Sequence, residues 1–210
     1  MKQKRIAVFA SGRGSNFNAI LSKIKEGYIP ASVGLCISNN SNAGVLNIAE
    51  SNGIPAKVFL PKSYTDSQSY NDSILDDLIK EEIDYIVLAG YLKMIGRQIV
   101  DRFNNKIINV HPALLPAFGG KGMYGHYVHE AVFNRGVKLS GATVHLVNNE
   151  YDAGPIVLQK SVSIEQAQNP EEIAEKVLKI EHEIFPKAVE LLVKDRITVD
   201  KLRVQIKGEG

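Results

Sequence analysis

The sequence holds a single cysteine, so no internal disulfide can form and a four-cysteine metal site is ruled out. A secreted disulfide scaffold goes with them. Long apolar runs are lacking too. After the basic start Met1-Lys2-Gln3-Lys4-Arg5, the apolar stretch from Ile6 to Ala10 stops at Ser11-Gly12. A secretory core needs about 7–15 apolar residues and a membrane span about 18 or more, so neither is present. The expectation is a cytoplasmic chain with no membrane role. Charge of one sign is not in excess: 25 lysines and arginines face 23 acids, a net charge of +2, which gives no electrostatic support for nucleic-acid binding. No repeat, linker or low-complexity tract interrupts the 210 residues. The composition is ordinary and globular, 44% hydrophobic and 23% charged. Such a length buries roughly 70% of the unfolded surface, which suits one domain over the whole chain.

Short apolar runs alternate with segments of helical period through the first half. The runs are Ile6–Ala10, Val33–Ile37, a weaker Lys57–Leu60, Asp84–Ala89 and Lys106–Val110. Helix-like stretches at Asn16–Glu26, Ala43–Asn52 and Ser67–Glu82 separate them, the last with Ile74, Leu75, Leu78 and Ile79 on one stripe. Continuous rather than alternating apolar strands imply a parallel sheet covered on both faces. The second half changes pattern. Ala142–Val147 and Ile156–Val162, joined by a turn-rich segment, predict an antiparallel hairpin. Asn169-Pro170-Glu171-Glu172 then opens a long helix with an N-cap, a proline at its first position and acids in its first turn. Its buried stripe runs through Ile173, Val177, Ile180, Ile184 and Leu191, Pro186 should bend it, and a short β-like tail follows Arg196. The fold class is α/β, Rossmann-like, with a mixed, mainly parallel sheet.

Ligands of open α/β sheets bind beyond the carboxyl ends of the strands, where four segments stand out. Ser11-Gly12-Arg13-Gly14-Ser15-Asn16 lies between the first strand and its helix. Glycines there let the backbone approach an anion at a helix N-terminus. Phe17 replaces the third glycine of a dinucleotide fingerprint and no Walker lysine follows, so the choice is between a single-phosphate cradle and a tight turn. Leu88-Ala89-Gly90-Tyr91-Leu92-Lys93-Met94-Ile95 is either the wall of a pocket for a flat ligand or a helix start packed on the sheet. In Ile107-Ile108-Asn109-Val110-His111-Pro112, alternation puts Asn109 and His111 on one side of a strand end. Two polar groups there are costly unless partnered or useful, and their pairing favours use. Asp152, in Asp-Ala-Gly-Pro, is either an Asx-type turn residue or a carboxylate that orients His111 and relays a proton. Elsewhere, Cys36 reads as a buried thiol, His126 and His129 as exposed loop histidines, and His145 and His182 as structural or solvated.

Together these segments resemble the glycinamide ribonucleotide formyltransferase family over essentially the whole chain. The landmarks are Ser-Gly-Arg-Gly-Ser-Asn at 11–16, Ala-Gly-Tyr-Leu at 89–92, Asn-Val-His-Pro-Ala-Leu-Leu-Pro at 109–116, Gly-Ala-Thr-Val-His at 141–145 and Asp-Ala-Gly-Pro-Ile at 152–156. The resemblance implies a formyltransferase fold and transfer of formyl from 10-formyltetrahydrofolate, the co-substrate, to the amine of glycinamide ribonucleotide, with no metal. It implies catalysis by Asn109, His111 and Asp152, with Asn109 and an imidazolium at His111 stabilising the oxyanion. Gly12, Arg13, Gly14, Ser15 and Asn16 would hold the substrate phosphate, and Glu181, which its helix pattern alone makes a solvated acid, the ribose hydroxyls. Tyr91, Leu92, Lys93, Met94, Ile95 and Asn109 would take the folate. Lysine at 93 stands where the family often has arginine, which removes a planar fork.

The stretch from Phe118 to His126, with four glycines, looks longer than in many members, and is either a lid over the site or a permissive insertion. Formyltetrahydrofolate hydrolase generally carries an extra amino-terminal domain and a transfer-RNA formyltransferase an extra carboxyl-terminal one, whereas this chain begins with the catalytic fold and ends in a short tail. The hydrolase, or a non-catalytic sensor of a phosphate ligand, is the alternative. Oligomeric state is not legible.

Overall fold

The computed structural model describes residues 3–208. Its first strand, β1 (Lys4–Phe9), shows how the rest is laid out, because alternate residues go to opposite faces of a sheet. Ile6 and Val8 join one buried cluster, while Ala7 and Phe9 join another on the other side. Both sets are fully buried, so the run is apolar at every position. The parallel strands β2 (Ala31–Ser38), β4 (Tyr85–Leu88) and β5 (Ile107–His111) repeat the pattern, while β3 (Ala56–Val58) pairs parallel at the sheet edge with Ala56 and Val58 exposed.

On one face lie α1 (Ser15–Lys25), α2 (Gly44–Ser51), α5 (His126–Arg135) and α6 (Pro170–Val193), contributing Phe17, Val45, Val128 and Phe185 among others. On the other lie α3 (Ser67–Lys80) and α4 (Arg97–Arg102), with Tyr70, Ile74, Leu78 and Ile99. Burying each such side chain contributes about 1.5–3 kcal/mol. The predicted stripe of α3 is narrower than its sequence suggested. Ile79 is 51% exposed, because Ile74 and Leu78, one turn apart, already fill the line facing the sheet.

After β5 the chain reverses. β6 (Leu139–Leu146) pairs antiparallel with β5, and β7 (Ile156–Ser163) with β6, which is the expected hairpin. The seven strands run in the order β3-β2-β1-β4-β5-β6-β7. The predicted cap of α6 is in place, with the Asn169 side chain accepting from the Glu172 amide, and the helix continues through the buried Pro186. The tail forms a second hairpin, β8 (Ile197–Asp200) with β9 (Arg203–Ile206). Among the described residues, no helix is long and apolar enough to cross a membrane.

Strand order reverses between β1 and β4, which opens a crevice beyond their carboxyl ends. Ser11 fastens its floor. Its amide donates to the Gly90 carbonyl (3.0 Å), its hydroxyl donates to Asn39 Oδ1 (2.6 Å), and the Leu92 amide donates back to that hydroxyl (2.9 Å).

Candidate active site

The crevice deepens into one cavity of about 400 Å³, and the expected catalytic, phosphate, ribose and folate residues all line it. The glycine-rich turn forms one end. Gly14 has φ 84°, and a Cβ on it would lie 2.9–3.0 Å from Ile48 and Val45, so both conformation and space require glycine. No side chain caps the start of α1, which leaves first-turn amides facing the cavity from a helix N-terminus. Arg13 stands exposed at the rim.

Beside this turn, Asn16 and Glu181 meet below the surface. Asn16 Nδ2 donates to a Glu181 carboxylate oxygen at 2.5 Å, while Asn16 Oδ1 is buried without a partner. Burial pushes the Glu181 carboxyl up to about 7, against the lowering effect of the Asn16 bond. The helical pattern placed Glu181 in solvent, but α1 packing across α6 covers it. A buried acid and an orphaned acceptor on a cavity wall suit a ligand rich in hydroxyl groups.

The loop after β4 forms the apolar wall. Tyr91 is buried, its ring edge-on to Phe9 and its hydroxyl 2.6 Å from that of Tyr70. Ile95 is buried, whereas Leu92 and Met94 stand exposed at the opening, as the wall of a site for a flat apolar ligand would. Lys93 Nζ lies 5.0 Å above the Tyr70 ring, in a cation–π contact.

At the end of β5, Asn109 and His111 share a face as alternation requires, opposite His145 and Thr143 on β6. Thr143 secures the turn beyond them, donating to the Ala113 carbonyl (2.6 Å) and accepting from the Leu115 amide (3.0 Å). His145 was read from sequence as structural, yet it belongs to this cluster. Its Nδ1 lies 2.9 Å from the Leu146 carbonyl and must donate there, so its Nε2 accepts from Asn109 Nδ2 at 3.2 Å. That contact turns the Asn109 amide nitrogen inward and leaves its second hydrogen for a ligand. The signal was available in sequence, since two antiparallel strands place such residues opposite one another, but the pairing register was not.

Asp152 reaches the cluster from the β6–β7 connection with φ 52°. Its carboxylate accepts from the Gly120 amide (2.9 Å) and lies 3.5 Å from both His111 Nδ1 and His145 Nε2. Burial alone would raise its pKa, but the two histidines and the Gly120 amide outweigh it and hold the carboxyl below its ordinary value. The Asx-turn reading gives way, because the partner of the carboxylate lies 32 residues away.

For His111 the balance goes the other way. Burial lowers its pKa more than Asp152 raises it. The imidazolium expected from the sequence is thus opposed by burial of the ring, which is 3% exposed, and favoured by Asp152 and the Phe118 carbonyl. His129 is corrected. It is 7% exposed rather than a loop histidine, it lines the cavity from α5, and burial pushes it down to about 4. His126 is exposed, as expected, and pairs with Glu130.

A model of the formyl transferase family matches residues 4–189. The phosphoribosylglycinamide formyltransferase of Bacillus subtilis is 40% identical over 90% of this chain and 95% of its own length. The chloroplastic phosphoribosylglycinamide formyltransferase of Arabidopsis thaliana is 42% identical over 93% of this chain and 68% of its own. Among solved structures, glycinamide ribonucleotide transformylase 1 from Symbiobacterium toebii superimposes with a TM-score of 0.92 at 33% identity, over 98% of this chain and 95% of that one. With the family match spanning most of its length and relatives of this similarity, the chain belongs to the formyl transferase family.

Proposed function

We propose that the protein transfers a formyl group from 10-formyltetrahydrofolate to the amine of glycinamide ribonucleotide, a step of purine biosynthesis, with residues 1–210 acting as one catalytic domain. The observation that carries the reading is the convergence of Asn109, His111 and Asp152 in a cavity whose other end is an uncapped helix N-terminus. That end suits a phosphate, held by the amides of Gly12 to Asn16 with Ser15 and the Arg13 guanidinium. Glu181 accepts from sugar hydroxyls. Tyr91, Leu92, Met94 and Ile95 cover the face of the pterin, with Lys93 beside them.

Bound formyl-folate supplies the carbon that the amine attacks. The second hydrogen of Asn109 Nδ2 donates to the formyl oxygen as negative charge builds there, the kind of donor worth about 10²–10³ in rate. His111, as imidazolium, donates a second hydrogen bond to that oxygen, and Asp152 favours the charged ring and helps carry the amine's proton through water. When the bond from the formyl carbon to the folate nitrogen breaks, its electron pair goes to that nitrogen, which takes up the proton the amine has shed. The protein forms no covalent bond to the formyl group.

The test is to incubate the protein with 10-formyltetrahydrofolate, with and without glycinamide ribonucleotide, and follow release of tetrahydrofolate. Release that depends on the amine is the expected result. Release without it would make the protein a hydrolase, and none in either case would leave a phosphate-ligand sensor.

A further inference from the structure

Three consecutive residues of α3 reach the segment that joins β4 to α4. Tyr70, 2% exposed, brings its hydroxyl 2.6 Å from that of Tyr91. Burial pushes both phenols above their ordinary pKa, so each keeps its hydrogen at neutral pH and one donates to the other. Asn71, buried beside it, accepts from the Gly96 amide at 3.2 Å and donates to the Ser67 carbonyl at 2.6 Å, one turn back on its own helix. Asp72 accepts from Gln98 on α4 at 3.1 Å.

The first two contacts fall at the two ends of an irregular loop, Tyr91 and Gly96. The residues between them, Leu92 to Ile95, line the cavity. Near its first end the loop is also tied to the sheet, through the Leu92 amide and Ser11. At its second end the tie is to Asn71, and the approach there is close. Gly96, with φ −66° and ψ 146°, has a backbone conformation open to any residue, yet a Cβ on it would run into the Asn71 amide group. The Tyr70 ring is held in turn, edge-on to Tyr64 with centroids 5.3 Å apart and with the Lys93 ammonium above its face. Buried polar groups that lose their partners are costly, so parting the loop from α3 is penalised at both ends.

We propose that Tyr70 and Asn71 are positioning residues for folate: from α3, outside the cavity, they hold the 91–96 loop in the shape that receives the pterin. The inference rests on the reading of this loop as the folate wall, and extends it to two residues that do not line the cavity. A loop already held in its binding shape does not have to be ordered by the ligand, which spares that cost from the affinity. With one tie lost, the loop spends part of its time in other shapes, and apparent affinity falls by the fraction that remains competent. The nucleotide end of the cavity is built on α1 and α6 instead, so it should not respond.

The test is calorimetry on the full chain with 10-formyltetrahydrofolate and with glycinamide ribonucleotide, each alone, after urea unfolding has shown that each variant is folded. Tyr70→Phe leaves the Tyr91 hydroxyl buried without its partner, and Asn71→Ala frees the Gly96 end. Each should weaken formyl-folate binding about 10-fold and leave nucleotide binding within about twofold. Gly96→Ala should weaken folate binding about 10²-fold, because its methyl group forces the loop away from Asn71. Asn71→Ala removes the group that the methyl strikes, so the two substitutions together should bind folate no worse than Asn71→Ala alone. A merely structural role would not produce that rescue. Folded Tyr70→Phe and Asn71→Ala with wild-type folate affinity, an equal loss of both ligands, or a double variant weaker than Asn71→Ala would overturn the proposal. Should Gly96→Ala not fold, Tyr70→Phe and Asn71→Ala still decide. Failure of the function reading is separable, since wild-type protein would then not bind formyl-folate at all.

Discussion

Glu181 should make the stability of the free protein depend on pH in a direction opposite to most carboxylates. Its pKa rises from 4.5 to about 7, so the folded protein holds this proton more tightly than the unfolded chain. The contribution is fully present below about pH 4.5 and is lost as pH rises through about 7. A displacement of about 2.5 units corresponds to roughly 3 kcal/mol. Glu181→Gln removes the titration. Its amide can accept from Asn16 Nδ2 as the carboxylate does, and its own NH₂ can donate to the orphaned Asn16 Oδ1. The variant should therefore gain stability over wild type on going from about pH 4.5 to about pH 8, by roughly 3 kcal/mol. Urea unfolding of both proteins at each pH measures this, and the difference between them cancels every other titrating group. A difference that does not change with pH would refute the buried, proton-linked state of Glu181. On the proposed function, the ionised carboxylate is also the better acceptor for ribose hydroxyls. Nucleotide affinity should thus rise with pH through about 7 in wild type, and Glu181→Gln should flatten that rise.

Asn109→Ala and His111→Ala should each lower kcat far more than they raise KM, by about 10²–10³ for the lost oxyanion donor. The double variant should cost less than the sum, as groups acting together do; near wild-type turnover in either single variant would remove these residues from the chemistry. Ser15→Ala combined with Asn16→Ala should weaken glycinamide ribonucleotide binding and spare formyl-folate, as calorimetry with each ligand alone would measure; loss of folate binding instead would mean the two subsites are exchanged. In hydrogen exchange, the Gly120 amide, bonded to Asp152, should be slower than those of Gly122 and Gly125, and all three should slow further when both substrates bind if this loop closes. Unchanged exchange on binding would rule out a lid.

The fold was legible where one physical cause dominates. Continuous apolar runs at Ile6–Ala10 and Val33–Ile37 arise because each strand is covered on both faces, and no other common arrangement demands them. The Asn169-Pro170 start of α6 was legible for a local reason, since a cap is written in adjacent residues. Exposure was harder to read. Ile79 satisfies helical spacing but lies outside the sheet-facing line, and His129 carries a polar ring into a buried position that sequence alone assigned to solvent.

The site divides along the same line. Asn109 and His111 were legible as a pair because alternation within one strand is a local rule. Glu181, Asn16 and His145 depend instead on contacts across 165 or 36 residues, which no local pattern encodes, and only the family resemblance pointed to Glu181. The charge on His111 shows the limit most clearly. From sequence, an aspartate in the same motif set favours an imidazolium. In the fold that attraction competes with burial of the ring, which no strand pattern reports, and the Asp152 carboxylate 3.5 Å away is engaged by the Gly120 amide as well.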